Sequence, residues 1–156
     1  MRNKKDHRRD ISSDAKYQNK ELARFINNLM LAGNKATVEK FVYRAIQQVS
    51  DLTGIKDISL LFEKILANIT ISHELRSRRV GGATYPVPKL LEDYRSLSKT
   101  LKLLVKIIRN VEGKALDEAI KNVFMDAYNK TGTIFAAYTN LVTAVDSNRV
   151  NTVYRW

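Results

Sequence analysis

Arg76, Arg78 and Arg79 stand immediately before a Gly81-Gly82 pair and Tyr85, the last two arginines within the string SRRVGGATYPVP from Ser77 to Pro88. Guanidinium groups bind phosphates through a planar, permanently charged fork, and aromatic rings stack on unpaired bases at about 1 to 3 kcal/mol each. The same pairing of residue types returns in NRVNTVYRW, Asn148 to Trp156, where Arg149 and Arg155 alternate with Tyr154 and Trp156. The chemistry is recognition of folded or single-stranded RNA. Each residue also has a plainer reading: Tyr85 can pack across its own ribbon, Trp156 can dock the tail onto the body, and any basic cluster can be a solvated face.

Bond-making chemistry has little to stand on. The two histidines, His7 and His73, belong to no metal-spaced cluster and have no evident nucleophile partner. Carboxylate neighbours such as Glu92 and Asp93, or Asp117 and Glu118, read as helix surface charge. No phosphate-cradling glycine motif follows a strand, and the absence of cysteine removes disulfides, thiolate zinc sites and cysteine nucleophiles. Neither an enzyme nor a cofactor or metal is expected.

The net charge of +11, from 27 Lys and Arg against 16 Asp and Glu, favours polyanionic partners through counterion release. Much of the surplus lies in two places. Residues 1 to 24 hold eight basic against four acidic side chains, and His73 to Lys89 holds four against one. No apolar run approaches the roughly 20 residues that cross a bilayer, and the opening MRNKKDHRRD resembles neither a secretory signal nor an acid-poor transit leader, so no membrane is expected.

The elements that must position these residues are mostly helical. Leu22, Phe25, Ile26, Leu29 and Met30 form one stripe, predicting a first helix from about Lys20 to Ala32 with Gly33 as its left-handed stop. Val38, Val42, Ala45, Ile46 and Val49 predict a second ending at Gly54, and Asp57 caps a third through Ile58, Leu61, Phe62, Ile65 and Ile69. The helical period then stops. From Thr70 to Val87 the residues favour extended backbone around the two glycines, predicting a β-hairpin, and Pro86 and Pro88, unable to donate ladder hydrogen bonds, suit a protruding ribbon. Leu90 to Ile108 predicts the longest helix, Ala115 to Asn129 a fifth stopped by Gly132, and Ile134 to Val145 a sixth. The expected architecture is one mainly α domain over 1–156: a basic arm (1–19), three helices (20–70), a β-hairpin (71–88), three more helices (89–147) and a tail (148–156).

SRRVGGATYPVP and NRVNTVYRW closely resemble the ribbon and C-terminus of the small-subunit ribosomal protein seven family, and ARFINNLMLAGNKATVEKFVYRAI, Ala23 to Ile46, resembles its first two helices and glycine loop. The order of elements and the length agree. The resemblance implies a structural role in the small ribosomal subunit: binding a multi-helix junction of rRNA, nucleating the head, and lining the tRNA exit site. It makes Arg2, Lys4, Lys5, Arg8, Arg9, Asn34, Lys35, Arg76, Arg78, Arg79, Arg95 and Arg109 candidates for rRNA contact. Val80, Gly81, Gly82, Ala83, Arg149, Tyr154, Arg155 and Trp156 become candidates for the exit-site rim. The implied partners are small-subunit rRNA, exit-site tRNA and neighbouring head and platform proteins.

Two departures stand out. ANITIS, Ala67 to Ser72, replaces the family's Glu-Asn pair and proline before the ribbon, and TGTIFAAYTN, Thr131 to Asn140, replaces a Lys-Lys-Arg cluster. The sixth helix is therefore expected to have exchanged an RNA face for a protein or core face. The abundance of Asn, Lys and Ile points to an AT-rich reduced genome, with the mitochondrial matrix slightly ahead of the bacterial cytoplasm as compartment. The competing function, a DNA-binding regulator outside the ribosome, is disfavoured because the arginines and aromatics lie on extended segments rather than along one exposed recognition helix.

Overall fold

The structure, a computed structural model, describes residues 11–154. Helix α1 (Lys20–Leu29) starts where Asn19 Oδ1 accepts the backbone N–H groups of Glu21 and Leu22 at 2.8 and 3.1 Å. Helix α2 (Lys35–Thr53) ends at Gly54 in the left-handed region, and α3 (Ile58–Asn68) starts on Asp57, whose Oδ1 accepts from Ser59 and Leu60. Both of those boundaries follow the sequence.

The end of α1 does not. It stops at Leu29, with Met30 extended, instead of running to Ala32. The Arg109 guanidinium donates through Nη2 to the carbonyls of Asn28 and Leu29, at 3.3 and 3.2 Å, so the last carbonyls are satisfied from another helix rather than by a further turn. Gly33, at φ 78°, turns the loop that follows.

Strands β1 (His73–Val80) and β2 (Ala83–Leu90) form an antiparallel hairpin closed by Gly81 and Gly82, whose φ values of 56° and 89° allow the two-residue turn. The hairpin reaches two residues past the expected end at Pro88. Val80 pairs with Ala83, so alternation puts Pro86, opposite Ser77, and Pro88, opposite Leu75, at positions where no ladder N–H is required. Leu91 N then donates to Ser72 O at 2.9 Å and closes the base.

Helix α4 (Asp93–Arg109) is followed by α5 (Leu116–Asn129) and α6 (Gly132–Ser147), and a 3-10 helix (Arg149–Tyr154) ends the described chain. The longest helix is α2, at 19 residues against 17 for α4. Lys130, at φ 56°, and not Gly132, terminates α5. Helix α5 is the central pillar, packed on α2, α3, α4 and α6. Phe25, Phe62 and Phe124 meet at the centre with ring centroids 5.4 to 5.9 Å apart, each fully buried. Helix α6 contributes only Ile134 to this core, while Leu141 and Val142 remain exposed. The core alternative for α6 is thus corrected: only its first turn enters the interior.

Candidate nucleic-acid interface

Helix α4 carries Arg95, Lys99, Lys102, Lys106 and Arg109 at intervals of four, three, four and three. At 100° per residue that spacing keeps all five within one narrow arc of the helix surface. All five are exposed, and the buried Leu101, Leu104, Val105 and Ile108 hold the opposite side in the core. Only Arg95 and Arg109 had been singled out from sequence. The stripe is legible in the spacing, but its lysines lie on a helix, away from the arginine–aromatic strings of the ribbon and tail.

Beside the stripe, α1 and α4 form a trough. Its upper part is lined by Ile11, Arg24, Asn27, Asn28, Tyr94 and Ser98, and its lower part by Asn28, Lys102, Lys106, Arg109 and Asn110. The Arg24 guanidinium lies over the Tyr94 ring, 4.8 Å from the centroid, with its Nε buried and, among the described residues, without a hydrogen-bond partner. Cations, amides and two hydroxyls along these adjoining clefts, which share Asn28, match a sugar-phosphate backbone, which offers acceptors and negative charge.

The ribbon is fixed to this face at its base. Glu74 accepts from Arg76 Nε at 2.5 Å and from Lys99 Nζ. The Lys99 contact, ahead of Arg76, holds the Glu74 carboxyl below the usual carboxylate range against the opposing effect of burial. Toward the tip, Arg78 Nη1 donates to the Tyr154 carbonyl, the Tyr85 and Tyr154 rings stack at 4.9 Å, and Asn151 Nδ2 donates to Pro86 O at 3.0 Å. Tail and ribbon are therefore one composite element, and Tyr85 packs on the tail's Tyr154 rather than across its own ribbon. Arg79, Gly81, Gly82, Ala83 and Thr84 stay exposed at the tip, with Val80 half-buried.

The remaining sequence candidates fall as follows. Asn34 occupies the N-cap position of α2, is exposed, and makes no side-chain capping bond. Lys35 lies 3.6 Å from Glu39 one turn on. Arg149 opens the 3-10 helix, exposed. Arg2, Lys4, Lys5, Arg8, Arg9, Arg155 and Trp156 lie outside the described residues. Among the described residues no group of three or more His, Asp or Glu could hold a metal, and no helix is long and apolar enough to cross a membrane.

The profile of the family described as ribosomal protein S7p/S5e matches residues 1–149. The chain belongs to that family. Proteins named "Small ribosomal subunit protein uS7" from Borrelia hermsii and Helicobacter hepaticus are each 34% identical to it, over 99% and 100% of both chains, and one from a Sulfurovum species is 35% identical over 100% of both. The family is one of structural ribosomal proteins, not of enzymes, and the DNA-binding alternative gains no support from it. Its mainly helical fold with a hairpin between α3 and α4 agrees with the expectation from sequence.

Proposed function

We propose that this protein is a structural constituent of the ribosomal small subunit that binds head-domain rRNA, nucleates head assembly and borders the tRNA exit site. The observation that carries the rRNA reading is the five-cation stripe of α4 beside the α1 trough, in a chain with full-length relatives named as small-subunit proteins. Arg24, Lys102 and Lys106 join Asn34, Lys35, Arg76, Arg79, Arg95 and Arg109 as phosphate contacts, together with the arm cations Arg2, Lys4, Lys5, Arg8 and Arg9. Arg78 acts mainly through the tail. The tip from Val80 to Ala83 and the tail from Arg149 to Trp156 form the proposed exit-site rim, where exposed glycine backbone permits close approach by a tRNA. Of the two compartments, the bacterial cytoplasm has the support of bacterial relatives.

The experiment is a salt titration of binding to a small-subunit rRNA head transcript. Lys102→Ala with Lys106→Ala should lower the slope of log affinity against log salt by about 1.4 to 1.8, at about 0.7 to 0.9 per phosphate contact. An unchanged slope returns the stripe to a solvated face. Recovery of the protein from extract only in light fractions, never with small subunits, removes the ribosomal reading itself.

A further inference from the structure

We propose that the pocket between α6, the base of the ribbon and the tail takes one unpaired guanine of the bound RNA, with Asp146 accepting from its Watson–Crick edge, an inference that rests on the rRNA-binding reading above. The pocket holds about 280 Å³. That is near the lower end of the roughly 300 to 1,000 Å³ of small-ligand sites, room for one planar group rather than a docked helix. Its apolar lining comes from Ile71, Pro88 and Leu90 on the ribbon side and from Leu141, Val142 and Val145 on α6. Two flat side chains join them. Tyr138 is half-buried and leans on Phe135, with ring centroids 5.8 Å apart, and the His73 imidazole is held through Nδ1 by Ser72 Oγ at 2.9 Å. Apolar walls with aromatic faces are what an unstacked base needs.

The polar side of the pocket is Asp146 and Arg149. Both are exposed, and among the described residues neither side chain has a charged partner. Asp146 stands in the last turn of α6, where the helix dipole disfavours an anion, so helix stability does not account for it. Toward phosphate alone a bare carboxylate is repulsive. Guanine reverses that, because its N1–H and N2–H groups point side by side at the two oxygens of one carboxylate, whereas the other bases set a donor beside an acceptor on that edge. The place of the pocket fits the same ligand. A second cleft shares Ile71, His73, Leu141 and Val145 with it and is walled by Lys99, Lys102 and Lys106. A strand with its phosphates on those lysines passes beside the pocket, and Arg149 supplies a further cation at its rim. Helix α6, without Lys or Arg, thus meets RNA through a base and not through phosphate.

The test uses the full chain and labelled nine-nucleotide single-stranded RNAs, all uridine or with guanosine, inosine or adenosine at the centre, read by fluorescence anisotropy. Guanosine should bind about five- to twentyfold tighter than uridine, within the discrimination of a bidentate base contact, and inosine, which lacks the 2-amino donor, should lose most of that advantage. Asp146→Asn should reduce the guanosine advantage below about twofold without weakening the all-uridine RNA, with unaltered circular dichroism. Removing a negative charge strengthens a merely electrostatic complex, so a loss confined to guanosine is specific to the pocket. Equal affinity for guanosine and uridine, or a guanosine advantage that survives Asp146→Asn, overturns the inference and leaves the pocket a protein contact or a packing seam. If the unaltered protein binds neither these RNAs nor the head rRNA transcript, the rRNA reading falls and the inference with it, whereas tight transcript binding without a guanosine preference sinks the inference alone.

Discussion

Arg78 and Arg79 are neighbours in sequence with opposite duties, and separating them is the sharpest test of how the ribbon works. Consecutive strand residues face opposite sides. Arg78, paired across the ribbon with Tyr85, points to the side where the tail lies and donates to the Tyr154 carbonyl, whereas Arg79, opposite Thr84, is exposed. Arg79→Ala should therefore remove one phosphate contact, lowering the salt slope of rRNA binding by about 0.7 to 0.9 and leaving the tail in place. Arg78→Ala removes a charge-assisted hydrogen bond. Such bonds are worth about 1.5 to 3 kcal/mol when buried; at this half-exposed position about 1 kcal/mol is the expected loss, which shifts the docked-to-undocked ratio of the tail roughly fivefold. Hydrogen exchange of the segment from Asn148 to Tyr154, followed by mass spectrometry, reads that ratio directly. The expected pattern is faster tail exchange in Arg78→Ala only, and the one-contact loss of slope, about 0.7 to 0.9, in Arg79→Ala only. Unchanged tail exchange in Arg78→Ala, with the larger loss of slope in that variant, would refute the division of labour.

Two further outcomes follow from the contacts on α4. Glu74→Gln should loosen the ribbon's base at neutral pH, seen as faster exchange of β1 amides. Because the folded carboxyl is held below its ordinary value of 4.5, the stabilisation is present above that value and is lost as pH falls through the lower folded one, so the unaltered protein should converge on Glu74→Gln in acid. Arg109→Ala should cost about 1 to 2 kcal/mol in urea unfolding through the two α1 carbonyls it leaves unpaired, in addition to any loss of RNA affinity. Arg109→Lys should restore the salt slope but only part of the stability, since lysine keeps the charge and lacks the fork; full recovery of both would remove the capping role.

The helices were legible because burial imposes a period: Leu22, Phe25 and Ile26, or Leu101, Leu104 and Ile108, write the core into the spacing. The hairpin was legible from its glycines and β-formers, and Asp57 from its place before an apolar stripe. What escaped was set by contacts distant in sequence. Arg109 ends α1 from 80 residues away, and the tail, read as an extension toward RNA, winds into a 3-10 helix against β2. The Asp14–Tyr43 bond, joining residues 29 positions apart, left no local mark, since an aspartate in a polar loop looks like any other. Pro88, read as the strand's end, lies at a pair that never needed its N–H.

These contacts make α4 the reference for every segment proposed to touch RNA. Lys99 holds the ribbon through Glu74, Arg109 holds the end of α1, and Tyr94 lies against Arg24 in the trough where residue 11 emerges. The tail is held on β2 of the ribbon and lies beside α6. The opposite distribution appears on α6, which has no Lys or Arg between Thr131 and Ser147 and exposes Leu141 and Val142. Charge is thus sorted by element: α6 carries no Lys or Arg while five cations line up on α4, and Leu141 and Val145 of α6 border one groove with Lys99, Lys102 and Lys106. Aligning five cations on one helix face favours the orientation that brings that face to RNA, because any other orientation gives up part of the stripe's phosphate contacts.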